Sequence, residues 1–269
     1  MAAESFMAHE VSTGNRTVGW LRSTVAGIKA TALRLSRSTF KIDPEGTLNR
    51  AVQGGVNTGV VASQTVNRAP PLPVSAVTSF YSKHVNALRF SDRRDGALVV
   101  TAFFGLLRSR EVVQLKWGDV IDNGHSFRLL IRHAKTARNG EVQEAFIPKA
   151  QDGAFCPYSA LKHWRNTCAA LGIASAEAPV FASSKEAGHV PLDTPLSVEG
   201  VGRAVVDAGR GHGTGYTSHS CRRGGATELM QRGASTEQLR HLGRWKSEAS
   251  DLYVVISAHT ASAAWAQKQ

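Results

Sequence analysis

SHSCRRGGAT occupies residues 218–227. Read as the start of a helix, it puts His219 and Arg222 one turn apart, so both side chains can point at one target. Upstream lies GLLRSREVVQL, residues 105–115, in which Arg108 and Glu111 are three residues apart. On a helix those two share a face, and Glu111 can orient Arg108 or its neighbours. Downstream lies HLGRWKS, residues 241–247, with Trp245, and Tyr253 follows eight residues later. Lys135 sits in AKTARNGE, residues 134–141, where Asn139-Gly140 is a strong hairpin signal.

Hydrophobic patterning places these motifs on elements. Residues 74–88, 93–107 and 109–115 read as helices, the second apolar enough (LVVTAFFGLL) to be buried. Residues 126–133 and 143–148 read as strands, and 157–171, 197–208, 219–232, 235–242 and 247–267 as helices. The resulting fold class is mostly α with a small antiparallel β insert. NRAPPLP, residues 67–73, cannot continue a helix and reads as a linker. It divides residues 74–269, which carry the motifs above and a C-terminal tail, from a small helical module, 1–66. Within that module residues 17–34 show an amphipathic stripe of Val18, Leu21, Val25, Ile28 and Ala32, extending to Leu35, with Asn15 as N-cap. Residues 45–61 form a weaker helical candidate, interrupted by four glycines.

The 269 residues are 42% hydrophobic and 20% charged, a composition that folds around a core. No apolar run reaches the roughly 18 residues of a membrane span. The opening MAAESFMAHE lacks the basic n-region of a secretory signal. Cys156, Cys168 and Cys221 form no CxxC pair, which fits neither a disulfide framework nor a zinc site. The expected compartment is the nucleus or a bacterial cytoplasm. A net charge of +11 attracts polyanions through phosphate contacts and counterion release. Charge alone does not separate DNA from RNA or from an acidic partner; for a DNA partner the candidate contacts are Arg22, Lys29, Arg132, Arg138, Arg223 and Arg244.

Singly, each motif has an ordinary structural explanation. Arg108 and Glu111 could be a surface ion pair, Lys135 a solvated hairpin lysine, and His219 an N-cap or core histidine. Trp245 and Tyr253 could be packing aromatics. Together and in this order, Arg108-x-x-Glu111, Lys135, His219-x-x-Arg222, Trp245 and Tyr253 resemble the tyrosine recombinase (phage-integrase-like) family. The GRWKS form is similar to versions carried by phages and by DIRS and Crypton-type mobile elements. The resemblance covers roughly residues 74–256, and more weakly residues 1–65, which resemble part of the family's core-binding domain. Trp245 stands where many members carry a second histidine.

The resemblance implies a site-specific recombinase that cuts and rejoins duplex DNA through a 3′-phosphotyrosyl intermediate, with no cofactor and no metal. Chemistry agrees with it. Tyr253 would be the nucleophile, which needs activation because the phenol pKa is near 10. Arg108 and Arg222 would fork onto the phosphate, His219 would take the phenolic proton or support the phosphate, and Lys135 would protonate the leaving 5′ oxygen. Trp245 would donate its indole N–H. The family also implies four protomers in a synapse on two duplexes, with no membrane partner. Alternatives are a type IB topoisomerase-like enzyme or a non-catalytic DNA-binding relic of a mobile element. For the tail, residues 257–269, the expectation is that Trp265 docks in a second copy rather than folding back.

Overall fold

The computed structural model describes residues 9–10, 21, 23–26, 69–132, 141–150 and 155–245. The chain divides into two compact units, Met1–Arg68 and Ala69–Gln269. In the first, residues 21 and 23–26 are helical, with Leu21 and Val25 buried one turn apart on the expected stripe. The rest of the two N-terminal helix expectations, the helix at 247–267 and the tail with Trp265 lie outside the described residues.

The second unit begins with α1 (Val74–His84) and α2 (Phe90–Phe104). Leu98, Val99 and Val100 are all fully buried, so α2 is covered on every side and forms the axis of the core. It starts three residues before the sequence suggested, because Phe90 is itself a core residue, and it stops at Gly105 and Leu106. Leu106 has φ 48°, which no helix continues through. The short α3 (Ser109–Gln114) follows, then a 3-10 turn at Trp117–Asp119.

Three antiparallel strands come next, in the order β1 (Val120–Asp122), β2 (Ser126–Ile131) and β3 (Gln143–Pro148). Phe127, Leu129 and Ile131 alternate inward from β2 and meet Ala145 and Ile147 of β3, while Arg128 and Glu144 remain outside. The β2–β3 ladder ends at Ile131 opposite Gln143, two residues short of the expected strand end. Residues 133–140, with Lys135 and the expected Asn139-Gly140 turn, lie outside the described residues.

Helix α4 (Pro157–Ala170) packs along α2, with Trp164 between Phe90 and Phe181 and its indole N–H donating to the Val180 carbonyl at 2.9 Å. A second hairpin, β4 (Ala182–Lys185) with β5 (Val190–Pro195), was not foreseen. Its sequence, ASSKEAGHVPLDTP, has no apolar alternation, and its pairing is irregular. Three helices complete the described chain: α5 (Val198–Ala208), α6 (Ser220–Gln231) and α7 (Thr236–Gly243).

Helix α6 approaches its neighbours backbone to backbone. A Cβ on Gly224 would strike the Leu72 carbonyl, and one on Gly225 would strike the Phe103 carbonyl and the Leu106 side chain. The expected linker is consequently no free tether over its described residues. Leu72 is buried, and its N–H donates to the Ser220 carbonyl at 3.0 Å.

Gly225→Ala should therefore lower the unfolding free energy by about 2 kcal/mol or more, the range of overpacking in a closed site. Gly202→Ala on α5, where the nearest atom to a new Cβ is 4.0 Å away, should be neutral or stabilising by up to ~1 kcal/mol. Urea unfolding of the two variants checks the contrast.

Candidate active site

The site is built around the turn between α2 and α3. Arg108 is the N-cap of α3, in extended conformation (φ −80°, ψ 152°). Glu111, at the third helical position, reaches back to accept its backbone N–H at Oε2, 2.9 Å away. The other carboxylate oxygen holds the Arg108 guanidinium, with Nη1 to Oε1 at 2.6 Å. The Arg108 side chain is 17% exposed and that of Glu111 1%. The sequence reading of Glu111 as the partner of Arg108 describes this contact.

Two further guanidiniums converge on the turn from the C-terminal helices. Arg222 on α6 is 1% exposed, and its two terminal nitrogens donate to the Leu106 and Gly243 carbonyls. Arg244 donates from Nη2 to Glu111 Oε2 at 2.8 Å and to the Leu106 carbonyl at 3.0 Å. Its Nη1 donates to the Gly105 carbonyl at 3.2 Å. Leu106 thus accepts from both arginines. Arg244 was expected on the DNA-facing surface; instead it is buried inside the unit, with 4% of its side chain exposed. Arg223, expected on the same surface, is also buried. Sequence reasoning missed the Arg244–Glu111 pair because 133 residues separate the partners and no local spacing joins them.

Arg244 also ends α7 in the left-handed conformation, φ 58° and ψ 41°. That costs an L-residue roughly 1–2 kcal/mol. Next to it, Trp245 lies over the guanidinium of Arg222, 4.4 Å from ring centroid to Cζ, a cation–π arrangement. Its ring closes a small apolar cluster of Leu106, Ala226 and Leu239 and covers Gly243 so closely that no Cβ fits there.

His219 is exposed at the N-cap of α6, three residues before Arg222, and its backbone N–H donates to Thr217 Oγ1 at 3.2 Å. Arg132, at the end of β2, is half-exposed and paired with Asp119 at 2.6 Å. Lys135, Arg138, Tyr253, Arg22 and Lys29 lie outside the described residues. The structure therefore brings together Arg108, Glu111, Arg222 and Trp245, with His219 at the head of the same helix as Arg222.

Three guanidiniums, those of Arg108, Arg222 and Arg244, thus gather on this turn around the Glu111 carboxylate. Burial alone would raise the Glu111 pKa. The charge of Arg244, together with the hydrogen bonds and charge of Arg108, outweighs it and holds the carboxyl below its ordinary value. Burial in turn pulls the Arg244 pKa down against the opposing pull of Glu111. Among the described residues, no group of three or more His, Cys, Asp or Glu side chains could hold a metal ion. Nor is any described helix long and apolar enough to cross a membrane.

The model of the family described as "Phage integrase family" matches residues 81–254, a span that includes every element of this site. The chain belongs to the phage integrase family. The integrase/recombinase xerD homolog of Selenomonas ruminantium is 27% identical over 164 residues, 60% of this chain and 46% of that protein. The match thus spans under half the length of that relative. Among solved structures, XerA recombinase superposes with a TM-score of 0.56 at 16% identity, over 100% of this chain and 91% of that one. The XerH site-specific recombinase bound to its difH substrate superposes with a TM-score of 0.53 at 15% identity, over 89% and 70%. At these identities the likeness is one of fold, and it agrees with the mostly helical phage-integrase fold with small antiparallel sheets.

Because the folded Glu111 pKa is depressed, its stabilisation is fully present above the unfolded value and is lost as pH falls through the lower folded value. Wild-type stability should fall across this acidic window. Glu111→Gln should be less stable at neutral pH by roughly 3 kcal/mol, since Arg244 stays buried without its counter-charge, and should lose less stability than wild type across the same window, where Asp92 and Asp122 still titrate. Denaturant melts at a series of pH values test both statements; a wild-type curve no steeper than the variant's would contradict them.

Proposed function

We propose that this chain is a site-specific DNA strand transferase that breaks and rejoins duplex DNA through a covalent 3′-phosphotyrosyl link. The observation that carries this reading is the gathering of guanidiniums around residues 105–108. Arg108, Arg222 and Arg244 converge on this turn, and the least buried of them, Arg108, keeps exposed surface that a phosphodiester can meet. Membership of the phage integrase family and the fold likeness to XerH, solved with its difH substrate, support duplex DNA as that anion's source.

In this mechanism the Tyr253 oxygen attacks phosphorus, the bond to the 5′ oxygen breaks, and a second attack by a 5′-hydroxyl reverses the step. His219 accepts the phenolic proton, and Lys135 supplies a proton to the leaving oxygen. Arg108 stabilises the charge gathering on the non-bridging oxygens. Arg222 has its terminal nitrogens on the Leu106 and Gly243 carbonyls and so acts as a fixed positive wall behind the phosphate. Trp245 keeps that guanidinium in place and offers its indole N–H. The link conserves bond energy, so the proposed cycle needs no cofactor and no metal.

The same reading assigns residues 1–66 to a helical DNA-clamping module carrying Arg22 and Lys29, and 67–73 to the connection with the catalytic domain. Arg132 and Arg138 would track the backbone beside Lys135. Four protomers would assemble on two duplexes, in a nucleus or a bacterial cytoplasm. The GRWKS form resembles versions carried by phages and by DIRS- and Crypton-type elements, which supports a mobile element as the source.

A pool of nicked duplexes with a randomised core tests this directly. The wild-type chain should form a denaturant-resistant protein–DNA adduct whose sequenced DNA defines the target. Tyr253→Phe should bind the recovered duplex with unchanged affinity and form no adduct; an adduct in that variant would move the nucleophile elsewhere. Lys135→Ala should cleave the recovered duplex slowly, and a 5′-bridging phosphorothiolate, whose thiolate leaves unprotonated, should restore its rate. Equal defects on both substrates would assign the proton to another residue.

A further inference from the structure

Arg244 pairs two features that seldom coincide. Its backbone holds a left-handed conformation that glycine adopts freely, and its side chain is buried in charged hydrogen bonds. A phosphate-contacting role at the surface does not fit a guanidinium with 4% of its side chain exposed. We propose that Arg244 is a positioning residue for strand transfer, fixing the Glu111 carboxylate and, through it, the Arg108 guanidinium. The proposal rests on the strand-transferase reading above.

The bonds describe how it acts. Glu111 Oε2 serves Arg244 Nη2 at 2.8 Å and the Arg108 N–H at 2.9 Å, while Oε1 holds Arg108 Nη1 at 2.6 Å. With both oxygens engaged, from α3 on one side and the end of α7 on the other, the carboxylate cannot rotate without breaking a charged bond. Arg244 also binds the Gly105 and Leu106 carbonyls, the turn that delivers the chain to Arg108. One side chain therefore restrains Arg108 twice, through its counter-ion and through the backbone that precedes it. A guanidinium that must meet a transferring phosphate within a fraction of an ångström depends on such support.

The test uses full-length Arg244→Gly, whose residue suits the left-handed backbone, and Arg244→Lys, with the nicked duplex recovered from the randomised pool. At saturating protein, adduct formation by Arg244→Gly should fall at least about tenfold while its affinity for the duplex stays within about twofold of wild type. Arg244→Lys should recover part of the rate, and millimolar guanidinium should accelerate Arg244→Gly but not wild type. An unchanged rate, or an affinity loss as large as the rate loss, overturns the proposal. A second measurement needs no cleavage: the Arg108 Nε–H signal in the DNA-free protein, assigned with Arg108→Lys, should exchange with water faster in Arg244→Gly. Should wild type form no adduct, the strand-transferase reading fails, and unchanged Arg108 exchange would then remove the positioning role as well.

Discussion

The Glu111 carboxylate is the point on which the rest of the site depends. It is buried, ionised and bonded on both oxygens. Without it, Arg108 and Arg244 would lose the buried counter-charge that both of them bind. With it, Arg244 can close α7 against α3, Arg222 can hold the turn from α6, and Arg108 is left as the guanidinium with exposed surface. The cluster is not a stability device in the ordinary sense, since buried ion pairs seldom outperform apolar packing. Its value lies in bringing three distant segments, 105–111, 222 and 243–245, to one arrangement.

Much of this was legible in the sequence, and the reasons are local. Arg108 and Glu111 are three residues apart at a helix start, a spacing that declares contact without knowledge of the fold. The alternation of Phe127, Leu129 and Ile131 marks β2, and the apolar run of α2 marks a buried helix. His219 and Arg222 fall at the head of one helix, as their spacing requires.

What could not be read depends on long-range packing. Arg244 read as a DNA contact, because its partner is Glu111 and its backbone strain shows only in three dimensions. Gly224 and Gly225 carry no pattern of their own; their meaning comes from the Leu72 and Phe103 carbonyls that press on them. The β4–β5 hairpin is polar and irregular, so it offers neither alternation nor a tight-turn dipeptide to read.

The seating of Leu72 on α6 has a mechanical consequence. Within the second unit this bond ties residue 72 to the Ser220 carbonyl, one residue after His219 and two before Arg222. Any displacement of the extended stretch before α1 is therefore delivered to the first turn of α6 and not to a remote face of the unit.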